Sequence, residues 1–359
     1  MNAPQASRRN FNKLVLGAAA GVAAPMGFVR SAWAQNKQIH VGIWGGAQGE
    51  FVKTKIIPKF ESDFGCKVVA EEGFTLANVQ KMRATKANPK FSVMFIDDVA
   101  IPICRTEDLI AQLPKANMPA MAKLYPRFGY DGYGTAVGIS VASLFHNTSV
   151  KPPATYAELW DPKYAGKIKL VTPKNTPSVF FMIVAAAVKT GKPFQQAQYE
   201  IDNAFDKIAA LKPNVQNIFD NGPQAANEIA QGQADIGFMD LSKYIYPATA
   251  KGVPVTMSFP KEGSFAGVNC QVLVKNGPNQ DVAVAFMNRM LEPAVQKALS
   301  EFAFTAPSVS GIEFSAETLK YLAYPVEEMD KRGLFIPDWT YINTNRSRWT
   351  EKMNQIFSV

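Results

Sequence analysis

The chain has 359 residues, 47% of them hydrophobic, and a formal net charge of +8. That length gives room for two domains, or one large one with an ample core, and the apolar content excludes an intrinsically disordered chain. No block of lysine and arginine interleaved with aromatics occurs, so nucleic acid is not an expected partner.

Residues 1–34 differ from the rest and contain no Asp or Glu. Ser7-Arg8-Arg9-Asn10-Phe11-Asn12-Lys13 precedes an apolar run from Leu14 to Val29, and Ala32-Trp33-Ala34 offers small residues where a signal peptidase reads. The order of charged region, apolar region and A-x-A site is that of a secretory leader cleaved after Ala34. The adjacent arginines, with Phe11 two positions on, give it a twin-arginine character. Gly17, Gly21, Pro25 and Gly27 make the run a poor membrane anchor. Without Arg8, Arg9, Lys13 and Arg30 the formal charge falls from +8 to +4.

From there strand and helix patterns alternate. Ile39–Trp44 reads as a strand and ends at Gly45-Gly46. Gly49–Phe64 carries an apolar helical face, with Pro58 as a kink or restart. Gly65 stops it, Cys66–Ala70 is a second strand, Asn78–Thr85 a helix, and Ser92–Ile96 a third strand ending at Asp97-Asp98. This βαβαβ order predicts an open parallel sheet, and ligands bind beyond the carboxyl ends of such strands. Gly45, Gly46, Asp97 and Asp98 all fall there, with Trp44 beside them.

A second α/β unit follows. Gly138–Asn147 is a strand, Thr155-Tyr156-Ala157-Glu158 a capping box, and Lys167–Thr172 a buried strand. Thr176-Pro177-Ser178 opens the apolar helix Val179–Thr190 and would aim free N–H groups beyond that strand. A helix from Gly222-Pro223 to Gly232, the strand Ala234–Met239 with Asp240 at its end, and the helix Leu241–Lys251 complete a second predicted sheet. Gly252–Val255 leads to a further strand, Cys270–Val274 is another, and Gln280–Leu291 and Pro293–Phe302 are helices. Trp339 and Trp349 in the tail are expected to pack on a lobe.

The segments "IWGGAQGEF", "TYAELWDPKYAGKI", "AQGQADIGFMD" and "FPKEGSFAG" carry a family likeness over Ile39 to Val309. In them the chain resembles the periplasmic solute-binding proteins of ABC importers, in the branch that includes the polyamine-binding proteins. The resemblance implies an α/β fold of the periplasmic binding protein type II kind, two-lobed, with a hinge of crossing strands and an interlobe cleft. The implied domains are the leader 1–34, a first part of lobe 1 at 35–139, lobe 2 at 140–268, and a return to lobe 1 with C-terminal helices at 269–359. It also implies a periplasmic, monomeric protein whose partners are a small solute and a membrane permease. The candidate ligand residues are Trp44, Gly45, Gly46, Asp97, Asp98, Thr176, Ser178, Asp240, Phe265 and Asn269.

The chain departs from the polyamine-binding members at specific places. Gly267 and Asn269 stand where those proteins supply an aromatic and a carboxylate, and Met239 replaces a tryptophan. Asn269 can hydrogen-bond but cannot neutralise an ammonium ion. Asp97, Asp98 and Asp240 offer charge for a cationic amine, with Trp44 or Phe265 to stack on it. The helix start at Thr176–Ser178 suits a small carboxylate or phosphonate. Ferric iron is a further alternative, although Tyr244 and Tyr246 are two apart and cannot share a helix face. An exported enzyme is the other class. Against it, there is no G-x-x-x-x-G-K-S/T, H-E-x-x-H or G-x-S-x-G, and only His40 and His146 are present, so neither a cofactor nor a metal is expected. Cys66, Cys104 and Cys270 read as small buried residues, with Cys66–Cys104 the pairing open to a disulfide.

Overall fold

The computed structural model describes residues 37–358; the expected leader and its cleavage point lie outside them. Ten strands form one mixed sheet: β1 Gln38–Ile43, β2 Lys67–Glu72, β3 Val93–Asp97, β4 Thr135–Asn147, β5 Ile168–Val171, β6 Val215–Phe219, β7 Ile236–Leu241, β8 Val255–Ser258, β9 Ser264–Leu273 and β10 Leu334–Phe335. The order is β2-β1-β3-β9-β4-β7-β5-β6, with β10 beside β9 and β8 beside β4. The first three strands are parallel, as their βαβαβ order predicts. The two sheets expected from the sequence are instead continuous. β9 runs antiparallel to both β3 and β4, and β4 runs antiparallel to β7, so two long strands carry the ladder from one half to the other.

Two hydrophobic cores flank this junction. Val141 belongs to the first core and Ala142 to the second; Ala266 belongs to the first and Phe265 to the second. These are register partners, Val141 with Ala266 and Ala142 with Phe265, so both strands change lobes at one level. Each lobe thus buries its own apolar set, the dominant favourable contribution to folding, and only a narrow ribbon of backbone joins them here.

Local chemistry explains the elements that frame the cleft. The helical run after β1 is α-helical at Gly46–Phe51 and Ile57–Phe64 but π-helical at Val52–Ile56. Pro58 has no N–H to donate and its ring crowds the carbonyl four residues back, so the preceding turn widens. Gly49 is obligatory: a Cβ there would lie 1.9 Å from the Trp44 carbonyl oxygen. In the second lobe the helix Pro177–Thr190 is buried along its first ten residues, which is why its sequence shows no polar face. The Thr155–Glu158 capping box forms with both reciprocal bonds. A C-terminal helix, Trp339–Phe357, sends Trp339, Ile342, Trp349 and Met353 into the second core. Among the described residues no helix is long and apolar enough to cross a membrane.

Cys66, Cys104 and Cys270 are free and buried, which overturns the Cys66–Cys104 pairing. The topology forbids it. β1 lies between β2 and β3, Cys66 precedes the start of β2, and Cys104 follows the end of the parallel strand β3. Two strand spacings, about 9.5 Å, therefore separate β2 from β3, more than a disulfide spans.

Candidate functional site

The carboxyl ends of β1 and β3 and the middle of β9 meet where the lobes join. Asp97 ends β3 and is the cross-strand partner of Asn269 on β9, whose other neighbour is Gly138 on β4. Asp97 Oδ2 accepts from Thr75 Oγ1 at 2.7 Å, and Oδ1 accepts from Asn269 Nδ2 at 2.7 Å. That second bond orients the Asn269 amide, leaving its Oδ1 to accept from Lys243 Nζ at 3.1 Å. Lys243 Nζ also donates to Gln48 Oε1 at 3.3 Å. Gln48 and Asn269 belong to the first lobe and Lys243 to the helix Ser242–Thr249 of the second, so this chain of bonds spans the cleft. Gly138 makes room for it: a Cβ would meet Thr305 Oγ1 at 2.9 Å and Gln48 Nε2 at 3.2 Å.

Trp44 is buried edge-on against Phe95, ring centroids 5.1 Å apart, and its Nε1 has no partner. Gly45 is extended, whereas Gly46 has φ +69°, a left-handed turn that needs no Cβ. Gly46 is exposed with nothing within 4 Å of a Cβ position, so the corner is open on that side. Asp98 turns away from Asp97. It is buried and accepts Trp339 Nε1 at 2.9 Å; burial, with the Asp97 charge alongside, pushes its carboxyl up to about 8.

In the second lobe Asp240 is buried at the end of β7, next to Met239 at φ +78°. A left-handed non-glycine residue is strained, and here it coincides with a register shift between β4 and β7. Asp240 Oδ1 accepts from Leu241 N at 2.7 Å, and Oδ2 lies so close over Gly222 that a Cβ there would be 1.9 Å away. Burial raises the Asp240 carboxyl to about 7 despite the Leu241 N–H and the Lys243 charge. Thr176 Oγ1 accepts from Arg346 Nη2 at 3.4 Å.

Besides Asp98, two more of the sequence-derived residues stand apart. Ser178 Oγ is spent on the carbonyls of Pro173 and Asn175, at 3.0 and 2.8 Å. Phe265 is wholly buried, stacked between Phe180 and Phe194 at 4.8 and 4.6 Å. Tyr246 is buried and Tyr244 exposed, so the two do not converge, and among the described residues no cluster of three or more His, Cys, Asp or Glu could hold a metal ion.

The sequence reading missed Gln48, Lys243 and the reach of the expected C-terminal helix into the cleft. Trp339, Asn343 and Arg346 lie three or four residues apart on one face of that helix. They reach Asp98, the Val99 carbonyl (2.7 Å) and Thr176, joining segments that the chain order keeps far apart. One sequence signal for Lys243 was available: a cation in the first turn of a helix opposes the helix dipole and needs another reason to be there.

Comparison with known proteins agrees with this architecture. A family model described as bacterial extracellular solute-binding protein matches residues 55–325. The spermidine/putrescine-binding periplasmic protein of Escherichia coli K12 is 22% identical over 261 residues, 70% of this chain and 73% of that one. A gamma-aminobutyric acid-binding protein of Pseudomonas aeruginosa is 26% identical over 282 residues, 77% and 78% of the two chains. Among solved structures, a spermidine/putrescine ABC transporter substrate-binding protein from Streptococcus pneumoniae superposes with a TM-score of 0.73 at 18% identity, covering 89% of this chain and 99% of that one. An ABC transporter substrate-binding protein from Bradyrhizobium japonicum gives 0.76 at 17%, covering 89% and 100%.

Proposed function

The chain belongs to the bacterial extracellular solute-binding proteins, and on that premise we propose that it captures a small organic solute between its lobes in the periplasm and hands it to an ABC permease. It is a binding protein and not an enzyme. The observation that carries the reading is the chain of polar side chains that links the lobes, Asp97, Asn269 and Gln48 of the first lobe to Lys243 of the second. The proposed ligand set keeps Trp44, Gly45, Gly46, Asp97, Thr176, Asp240 and Asn269 from the sequence and adds Gln48 and Lys243, which bridge the lobes. A solute touching both lobes binds the closed arrangement better than the open one, and that difference in affinity drives closure. Of the relatives, one is named for spermidine and putrescine and another for gamma-aminobutyric acid, so organic amines and amino acids head the list.

The expected result is a melting-temperature rise of the chain from Gln35 onward, unfolded and refolded to strip bound solute, with one class in a panel of diamines, spermidine, amino acids, small carboxylates, phosphonates and ferric citrate. A solute at about a hundred times its Kd adds roughly 2.7 kcal/mol, a shift of a few degrees. A flat profile across the whole panel counts against solute capture. Export through a twin-arginine leader predicts that Arg8→Lys with Arg9→Lys leaves the uncleaved chain in the cytoplasm, while the wild-type periplasmic form begins at Gln35 on N-terminal sequencing. Wild-type export by the general secretory route would rule the leader type out.

A further inference from the structure

The cleft holds two cations that lack an acidic partner. Lys243 Nζ rests on two amide oxygens, those of Gln48 at 3.3 Å and Asn269 at 3.1 Å, and over the Tyr244 ring at 5.3 Å. The Arg346 guanidinium makes one long hydrogen bond, to Thr176 Oγ1 at 3.4 Å. Among the described residues no carboxylate oxygen comes within 4.0 Å of either group. This is unlike the other half-buried arginines: Arg289 pairs with Asp63 and Glu292, and Arg332 with Glu328. Lys243 also sits in the first turn of its helix, where the dipole disfavours a cation. Desolvation of Arg346 disfavours its charge, and Asp97 only partly offsets this.

The nearby acids do not answer these cations. Both oxygens of Asp97 are already taken, by Thr75 and Asn269. Asp98 faces Trp339, and Asp240 is folded onto Gly222. Unpartnered donors accumulate on the same side: Trp44 Nε1 and Gln48 Nε2 are buried without an acceptor, and four of the five guanidinium N–H groups are unused. Buried donors without acceptors are costly. What the site lacks is therefore an anionic acceptor, not an amine. The space over Gly267 points the same way. Leu241 Cδ2 would lie 2.3 Å from a Cβ at that position, so no aromatic wall for an ammonium ion can stand there.

We propose that the solute carries a carboxylate, seated between Arg346 and Lys243 as the lobes close, and that the cleft rejects diamines. The inference rests on the solute-capture reading and names its ligand class. A guanidinium fork matches a carboxylate in two parallel hydrogen bonds, and Lys243 supplies a point charge from the first turn of its helix. A diamine would instead bring two more positive charges to a site that has two without partners.

The test is calorimetric titration of the stripped, refolded chain with 4-aminobutanoate, succinate and putrescine. At least one of the two carboxylates binds and putrescine does not. Arg346→Gln and Lys243→Gln each weaken carboxylate binding by about 10- to 100-fold, while Arg348→Gln, altering an arginine paired with Asp202 on the same helix, leaves it unchanged. Circular dichroism melts establish that all three variants fold. Putrescine binding without carboxylate binding overturns the ligand class and leaves solute capture standing. Carboxylate binding that is unchanged in both cleft variants overturns the assigned residues. No binding of any of the three overturns the proposal, and the wider melting panel then decides separately whether solute capture falls with it.

Discussion

Folding stability is expected to fall as pH rises from about 5 to about 8, and Asp98→Asn and Asp240→Asn are each expected to flatten that fall. The two carboxyls are buried, and burial lifts them to about 8 and about 7, whereas unfolded aspartates titrate near 3.9. Between those values the native state holds two protons that the unfolded chain has released. The number of bound protons is larger in the native state, so the stability contribution is complete below about pH 4 and is lost as pH climbs through the folded-state values. The slope reaches at most about 1.4 kcal/mol per pH unit for each group. Carboxylates held low act in the opposite sense at acid pH. Glu71, hydrogen-bonded by Lys90, and Glu107, hydrogen-bonded by Arg83, lose their contribution as pH falls through their lowered values. A stability maximum near pH 5 follows. Urea melts across pH 4 to 9 check it: the asparagine variants match wild type at pH 4 and exceed it at pH 8. Parallel profiles for wild type and variants would mean that neither acid is held protonated.

The position of both acids at strand ends explains why they were legible in the sequence while their chemistry was not. Glycine pairs, terminal aspartates and capping boxes are local signals, and they located β1, β3, β7 and the Thr155–Glu158 turn. Charge state is not local. It depends on whether Trp339 or Gly222 closes over the carboxyl, and those partners lie 241 residues away and 18 residues upstream respectively. The strand β6, Val215-Gln-Asn-Ile-Phe219, escaped the reading because it is a half-exposed edge with polar residues at its centre. The first half of β9 escaped because "PKEGSFAG" is glycine-rich and reads as a turn, yet that half contains the crossing point. Lys243 and Arg346 escaped for a different reason: a lone basic residue on a helix is ordinarily a solvated one, and only the tertiary fold sets these two beside Asn269 and Thr176 with no ion-pair partner among the described residues. The fold class followed from periodic patterns, whereas the cleft's charge balance needed the fold.

Removing the carboxylate of Glu228 is expected to cost the second lobe about 3 to 5 kcal/mol. Lys169, on β5, has a wholly buried side chain. Its Nζ meets Glu228 Oε2 at 2.7 Å, with Gln216 Oε1 at 3.2 Å and Asn217 Oδ1 at 3.1 Å as neutral support. Glu228→Ala leaves that ammonium ion buried with two amides and no counter-charge. Lys169→Met is expected to be far milder, because Glu228 is 22% exposed and can turn to water, and methionine fills the volume of the lysine stem. The double variant is therefore more stable than Glu228→Ala alone, a strongly non-additive cycle in which the second substitution removes the charge that the first one stranded. Denaturant melts of the four proteins measure it, and additive costs would show that the pair is solvated rather than buried. The pair also bears on the cleft. Glu228 lies on the helix Gly222–Ala230, whose first residue packs against Asp240. Losing the anchor at one end of that helix loosens the backbone that holds a cleft carboxyl at the other. Solute binding by Glu228→Ala should consequently weaken along with stability, and Lys169→Met should restore both together.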